Sequence, residues 1–360
     1  MNNRKLVLES GEVFEGVGFG GNCECVCELV FNTSVVGYQE IISDPSNYGE
    51  MLCMTYPVIG NYGLTDEDYE STKMTISALI VKEYNKYPSN FRYTHELHEL
   101  MEEDNIPGIS GVDTREITRI IKKNGVKRAI ICDINKPMDE CLKAINNYQS
   151  PKNIVKKIST KKVIHKRIAS FKYTVAIIDC GLKRSQITEL NNVGCNVVAL
   201  PYDSSVETIL SYKPNGLFIS DGPGNPLDVE VVIDTIRALK GKMPICGVGL
   251  GQELIALAYG AKIYRQHVGH NGCNLPVRNV NTLKIEITSQ NDLYAIDKKS
   301  LEKTSLKITH ENVIDNVVEG VCDLDNMVVA VQFNPSEEIS NPDYIFNRFV
   351  ELMKNNGGKR

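Results

Sequence analysis

Pro244-Ile245-Cys246-Gly247-Val248-Gly249-Leu250-Gly251-Gln252-Glu253 is the stretch whose reading decides the fold. The apolar run Met243 to Val248 reads as a buried strand and Glu253 to Ala258 as a helix, so the glycines fall at a strand–turn–helix bend. Upstream, Val175-Ala176-Ile177-Ile178-Asp179 is another unbroken apolar run ending on a polar residue, as in a strand covered on both faces. Between the two runs the pattern predicts a helix to Asn192, a strand Asn196 to Leu200 and a helix near Val206 to Tyr212. A strand Gly216 to Ser220 and a helix Val229 to Leu239 follow. Strands and helices alternating at short spacing imply a doubly wound parallel sheet. Such sheets take their ligands at the carboxyl ends of the strands. The strings Asp179-Cys180-Gly181, Ser220-Asp221-Gly222-Pro223-Gly224-Asn225-Pro226 and Gly247 to Gly251 all fall there.

The first 150 residues are less regular. Leu6 to Leu8, Cys25 to Phe31, Ile76 to Val81 and Ala129 to Cys132 read as strands. Thr94 to Met101 reads as a helix with Leu97, Leu100 and Met101 on one face, and Asp113 or Thr114 can cap a second that ends at Gly125. A further helix is expected near Asp139 to Ile145, making a mixed α/β domain without a repeat. Residues 151–172 carry eight Lys and Arg side chains and no acid, which reads as a solvated basic linker, with a docking strip for an acidic surface as the alternative. The expected domains are therefore 1–150, a linker 151–172, and 173–360.

A chain of 360 residues suggests more than one domain, and 42% hydrophobic with 24% charged residues is ordinary globular composition. A net charge of −5 gives no general affinity for polyanions, so neither nucleic acid nor an anionic membrane is an expected partner. The apolar run after Lys5 stops at Leu8, too short for a signal peptide, and no window reaches the roughly 18 apolar residues of a membrane span. The chain is expected to be cytoplasmic, with its 11 Cys reduced. Cys23, Cys25 and Cys27 alternate as on a strand face, and no Cys-x-x-Cys pair suggests a metal. Gly16-x-Gly18-x-x-Gly21 matches a dinucleotide fingerprint in letters, but a strand pattern follows where a helix is required, so a glycine-rich hairpin is expected.

Two further features carry chemistry. Gly222-Pro223-Gly224-Asn225-Pro226 makes a stiff loop whose backbone N–H groups can hold a carboxamide oxygen or an oxyanion, or can simply be a turn. In a nucleophile elbow the central residue takes a strained conformation and presents its side chain to the substrate. Here that residue is Gly249, so the bend is present and the nucleophile is not.

On these strings the sequence resembles the carbamoyl-phosphate synthase small subunit. In the first half the resemblance rests on Phe31-Asn32-Thr33-Ser34, Gly37-Tyr38-Gln39-Glu40, Asp44-Pro45-Ser46, Thr55-Tyr56-Pro57, Ile59-Gly60-Asn61, Ser89-Asn90-Phe91-Arg92 and Asp113-Thr114-Arg115. The second half resembles class I glutamine amidotransferases through the Gly222-Pro223-Gly224 loop, the elbow and Val331-Gln332-Phe333-Asn334-Pro335. The resemblance implies a flavodoxin-like second domain and a two-protein reaction. A small subunit hydrolyses glutamine with a Cys-His-Glu triad, and ammonia passes to a large subunit that uses ATP and bicarbonate to make carbamoyl phosphate for arginine and pyrimidine synthesis. No cofactor is implied in this chain, since ATP and metal belong to the large subunit.

The triad positions that the resemblance marks are occupied by Gly249, Asn334 and Ser336. A triad without its nucleophile loses turnover on the order of a million-fold, and further losses add little. Among possible replacements, Cys246 lies inside the strand, Cys273 in a Gly-Cys-Asn loop after His270 is better placed, and Glu337 sits one residue past the orienting position. His267, His270 and His310 read individually as structural or solvated. Glutamine contacts carry over by position to Ser46, Gly222, Gly224, Leu250, Glu253, Asn291, Leu293 and Tyr294. Of these, Glu253 adds a carboxylate and Leu293 adds bulk, both against L-glutamine binding. Three functions follow: a glutaminase-less structural or regulatory partner of an ammonia-using large subunit, an active glutaminase with a non-standard nucleophile such as Cys273, or a small-molecule-sensing pseudoenzyme.

Overall fold

The computed structural model describes residues 3–335 and 344–357. The chain divides into two compact units, Met1–Pro151 and Lys152–Arg360.

In the first unit the strands are β1 (Asn3–Leu8), β2 (Val13–Gly20), β3 (Cys25–Asn32), β4 (Met51–Met54) and β5 (Val58–Ile59), then β6 (Ala78–Ile80), β7 (Glu83–Tyr84), β8 (Pro107–Ser110) and β9 (Lys127–Asp133). Seven close into a barrel in the order β1-β2-β8-β6-β4-β3-β9, while β5 and β7 form a separate ribbon. The Asp113 carboxylate accepts the N–H groups of Arg115 and Glu116 and so starts the helix Thr114–Asn124, which Gly125 terminates at φ 84°. The glycine-rich string ends β2 and leads to another strand with no helix. The string lies on the second arm of the antiparallel β1–β2 hairpin, as the expected glycine-rich hairpin has it, but it is no turn between β2 and β3, since β2 pairs with β1 and β8, and β3 with β4 and β9. Its glycines permit close backbone approach: a Cβ at Gly16 would stand 2.3 Å from the Ser110 carbonyl oxygen, and one at Gly20 2.5 Å from that of Ile106.

In the second unit the strands are β10 (Ile164–Lys166), β11 (Tyr173–Asp179), β12 (Cys195–Pro201), β13 (Gly216–Ile219) and β14 (Ile245–Val248), then β15 (Ile263–Asn279), β16 (Ile285–Ile296), β17 (Lys307–Asn312), β18 (Val318–Asp323) and β19 (Val328–Val331). They form one sheet in the order β10-β12-β11-β13-β14-β19-β18-β17-β15-β16. The run β12-β11-β13-β14-β19 is parallel throughout and has the strand order of a flavodoxin-like fold. Successive residues of β11 serve opposite cores. Ala176 and Ile178 pack with the helices Val206–Ser211, Glu230–Leu239 and Leu250–Ala258, whereas Val175 and Ile177 pack with Arg184–Asn192 and Tyr344–Gly357. Both faces are thus covered, which is why the strand reads as a continuous apolar run. The α/β class and the doubly wound sheet expected from the pattern are present. The long β15–β16 hairpin was not expected, since register breaks between Arg265 and His270 and between Gly272 and Leu275 interrupt its alternation.

The basic stretch 151–172 is not a free linker. It contains the helix Ile154–Ile158 and β10, which pairs antiparallel with β12, and from Lys152 on it belongs to the second unit. Net charge misled because the lysines project outward while Val155 turns into the core at 2% exposure. The Ser159 hydroxyl accepts the Tyr202 N–H at 3.0 Å, and the Asp179 carboxylate accepts the Thr160 N–H at 2.7 Å. Val155→Ala should therefore lower stability by about 1–3 kcal/mol, while Lys156→Ala and Lys157→Ala stay within about 0.5 kcal/mol. Denaturant melts of the three variants check this, and an unaffected Val155→Ala would restore the linker.

Candidate active site

The flavodoxin-like order reverses between β11 and β13, and the loops after β11, β13 and β14 meet at that edge. After β14 the chain turns at Gly249, with φ 55° and ψ −119°, into the helix Leu250–Ala258. The turn is fixed by the Gly249 N–H donating to the Val331 carbonyl at 2.9 Å and by the Gln252 N–H donating to the Gly249 carbonyl at 2.9 Å. The flanking glycines are required by packing: a Cβ at Gly251 would stand 2.3 Å from the Ile219 carbonyl oxygen, and one at Gly247 2.8 Å from the Gly251 backbone. The elbow is built, and its tip is bare.

Asp221 fills the space over that tip. A Cβ at Gly249 would stand 2.0 Å from Asp221 Oδ1 and 2.4 Å from its Cγ. The same Oδ1 accepts the N–H of Gly222 at 2.8 Å and that of Leu250 at 3.1 Å. Its other oxygen, Oδ2, lies 3.0 Å from Lys183 Nζ, and the two side chains are only 9% and 4% exposed. Lys183 precedes the helix Arg184–Asn192, so the ion pair ties the loop after β11 to the loop after β13 and to the elbow. The sequence reading missed Asp221 although it sits inside the glycine-rich string, because that loop was read for its backbone alone.

A second polar layer lies behind the elbow. Gln252 Nε2 donates to Gln332 Oε1 at 2.9 Å, and Gln332 Nε2 donates to Glu253 Oε1 at 3.0 Å. Burial, with a smaller push from Asp292 and Asp221, drives the Glu253 carboxyl well above the usual carboxylate range, against the Gln332 hydrogen bond. Asp292 itself is buried and raised for the same first reason, and it accepts from Gln266 Nε2 at 2.7 Å. Next to it His270 Nε2 contacts Asp315 Oδ2 at 2.8 Å, while Nδ1 stands 3.5 Å from Asp292 and 3.4 Å from Glu319. Only the Asp315 contact is at hydrogen-bond length; the other two act through charge. Burial opposes a charge on His270, but the three carboxylates outweigh it and hold the imidazole up at about 12. Burial raises Glu319 to about 7 despite that imidazolium. Among the described residues no group of three or more His, Cys, Asp and Glu could hold a metal ion.

The remaining residues expected from the sequence are placed as follows. Gly222 and Leu250 supply the N–H pair to Asp221. Gly224 is exposed at φ 92°. Asn291, Leu293 and Tyr294 lie on β16, where Asn291 pairs with Asn271, Tyr294 pairs with Arg265, and Leu293 packs against Gly269. Ser46 belongs to the first unit, buried in the short helical turn Pro45–Asn47, where its N–H donates to Asp44 Oδ1 at 2.8 Å. Asn334 is buried just past β19, and its N–H donates to the Ser289 carbonyl at 2.8 Å. Ser336 and Glu337 lie outside the described residues. Cys273 lies within β15 at a register break rather than in a loop, and it is half-buried. Cys246 is fully buried in β14, and burial pushes its thiol up. All 11 cysteines are free, and among the described residues none hydrogen-bonds an imidazole. His310 is a core residue with its ring edge toward Phe333, lowered to about 4 by burial.

Comparison with known proteins bears on this site. Residues 6–131 match the family model for the carbamoyl-phosphate synthase small chain, CPSase domain, and residues 176–352 match that for glutamine amidotransferase class-I. A carbamoyl phosphate synthase small chain from Staphylococcus epidermidis is 42% identical over 98% of this chain and 97% of that protein. One from Fusobacterium nucleatum is 39% identical over 99% of both. A carbamoyl phosphate synthase pyrimidine-specific small chain from Halalkalibacterium halodurans is 40% identical over 98% of both.

Two consequences can be measured. Gly249→Ala must place a Cβ in a left-handed backbone region and evict Asp221, and it should cost about 2–4 kcal/mol in denaturant melts. Glu319 is held near 7 against an ordinary 4.5, so the folded chain keeps a proton that the unfolded chain releases, and stability falls as pH rises between those values. Glu319→Gln removes this dependence. Its stability relative to the native protein should rise from pH 5 to pH 8 by up to about 3 kcal/mol, and a flat difference would refute the assignment.

Proposed function

The chain belongs to the carbamoyl-phosphate synthase small-chain family, and we propose that it is a member without glutaminase activity, serving in the cytoplasm as structural and regulatory partner of a large subunit that draws on free ammonia. The observation that carries this reading is Gly249 at the tip of an otherwise complete elbow. Hydrolysis of a carboxamide through a thioester needs a thiolate to form the bond, a base to move the proton to the departing ammonia and an orienter for that base. At the elbow tip there is no atom to form the bond, and at Asn334 an amide cannot take up a proton at working pH. The polar groups that remain hold the fold: Lys183 and Asp221 clamp the strand ends, and Gln332 holds Glu253.

The glutamine pocket is altered in the same sense. A carboxamide oxygen would need the N–H groups of Gly222 and Leu250, which Asp221 uses. Glu253, driven toward its neutral form, brings a buried carboxyl in place of an open contact. The barrel unit matches the family model over 6–131 and is the part proposed to engage the large subunit, which supplies ATP, metal and the phosphoryl chemistry. Arginine and pyrimidine synthesis are the proposed destinations of the product. An active enzyme using Cys273 finds less support, because that thiol has no imidazole partner among the described residues. A small-molecule sensor would need a ligand for the altered pocket.

The test is reconstitution with a large subunit. Co-purified complex should make carbamoyl phosphate from ammonium and ATP, should make none from glutamine, and should release no glutamate above the level without enzyme. Failure to bind any large subunit would defeat the reading. Glutamate release that Cys273→Ala abolishes would replace it with the active enzyme, and a melting shift with glutamine but no turnover would favour the sensor.

A further inference from the structure

We infer that Asp221 is the resident ligand of the elbow's anion site, its carboxylate occupying the N–H pair and the lysine that would otherwise receive an incoming carbonyl or carboxylate oxygen. The inference deepens the proposed function and rests on it only for the identity of the excluded substrate. The Gly222 and Leu250 N–H groups converge on one oxygen, Oδ1, at 2.8 and 3.1 Å. Leu250 is the first residue of a nine-residue helix, whose N-terminal dipole adds to the attraction for negative charge. Lys183 Nζ takes the second oxygen at 3.0 Å, in a pair whose side chains are 4% and 9% exposed. The absence of a side chain at Gly249 is what makes room, since a Cβ there would stand 2.0 Å from Oδ1.

A charge-assisted hydrogen bond is roughly twice as strong as a neutral one, and Asp221 is tethered next to its donors. A neutral carboxamide arriving from solution therefore loses the competition. With Asp221 removed, the same donors and the Lys183 ammonium should accept a small free carboxylate.

Chemical rescue tests this with acetate as the probe. Asp221→Ala should melt below the native protein, and about 100 mM acetate at matched ionic strength should raise the variant by several degrees while leaving the native protein unmoved. Equal melting temperatures for variant and native protein, no gain with acetate, or a gain that chloride reproduces would each overturn the inference. Should Asp221→Ala not fold, Asp221→Asn carries the test, because its neutral amide is a weaker acceptor and turns N–H groups toward Lys183. Exchange of the Leu250 and Gly222 amide hydrogens should then speed up about tenfold or more, and unchanged protection would overturn the inference. Neither readout uses glutamine, so glutamate release by the native protein would defeat the inactive-subunit reading and leave this one to stand or fall separately.

Discussion

The contact between Lys183 and Asp221 is the constraint on which the site depends. Two opposite charges are withdrawn from water, and the pair is sustained only because the remaining capacity of the carboxylate is met by two backbone N–H groups. One side chain thereby satisfies the orphan donor at the start of the helix Leu250–Ala258, closes the loop after β13 and anchors the loop after β11. A glycine at 249 is then a packing requirement. The space at the tip of the bend is filled by a side chain that holds strand ends together.

The groups around this contact follow the same logic of burial. Glu253, Asp292 and Glu319 have their carboxyls pushed toward the neutral form by burial, and the His270 imidazole carries charge into the cluster. Hydrogen bonds from Gln332 and Gln266 take up part of what remains. A layer of this kind favours one arrangement of β16, β18 and the elbow helix, and it gives the unit a stability that depends on pH.

Much of the second unit was legible in the chain. The unbroken apolar runs of β11 and β14 read as strands covered on both faces, and the glycines at 247, 249 and 251 as a bend, where backbones do approach closely. The bare tip of the bend was legible for the simplest reason, since residue 249 is a glycine and carries no side chain. The stretch 151–172 was misread because its lysines dominate a charge count, while one inward valine and a short paired strand decide its place. The β15–β16 hairpin was missed because two register breaks disrupt the period of two.

The sequence by itself determined the alternation of strands and helices, the bend, and the bare tip at Gly249, because these rest on local periodicity and on side-chain chemistry that no fold can supply. What only the tertiary structure decided is which groups took over the space. Asp221 and Leu250 are 29 positions apart, His270 and Glu319 belong to different strands of one sheet, and no pattern along the chain brings them together. Their partnership arises when the strand ends converge and water is excluded, since only then does an unpaired charge cost enough to fix where each carboxylate must point.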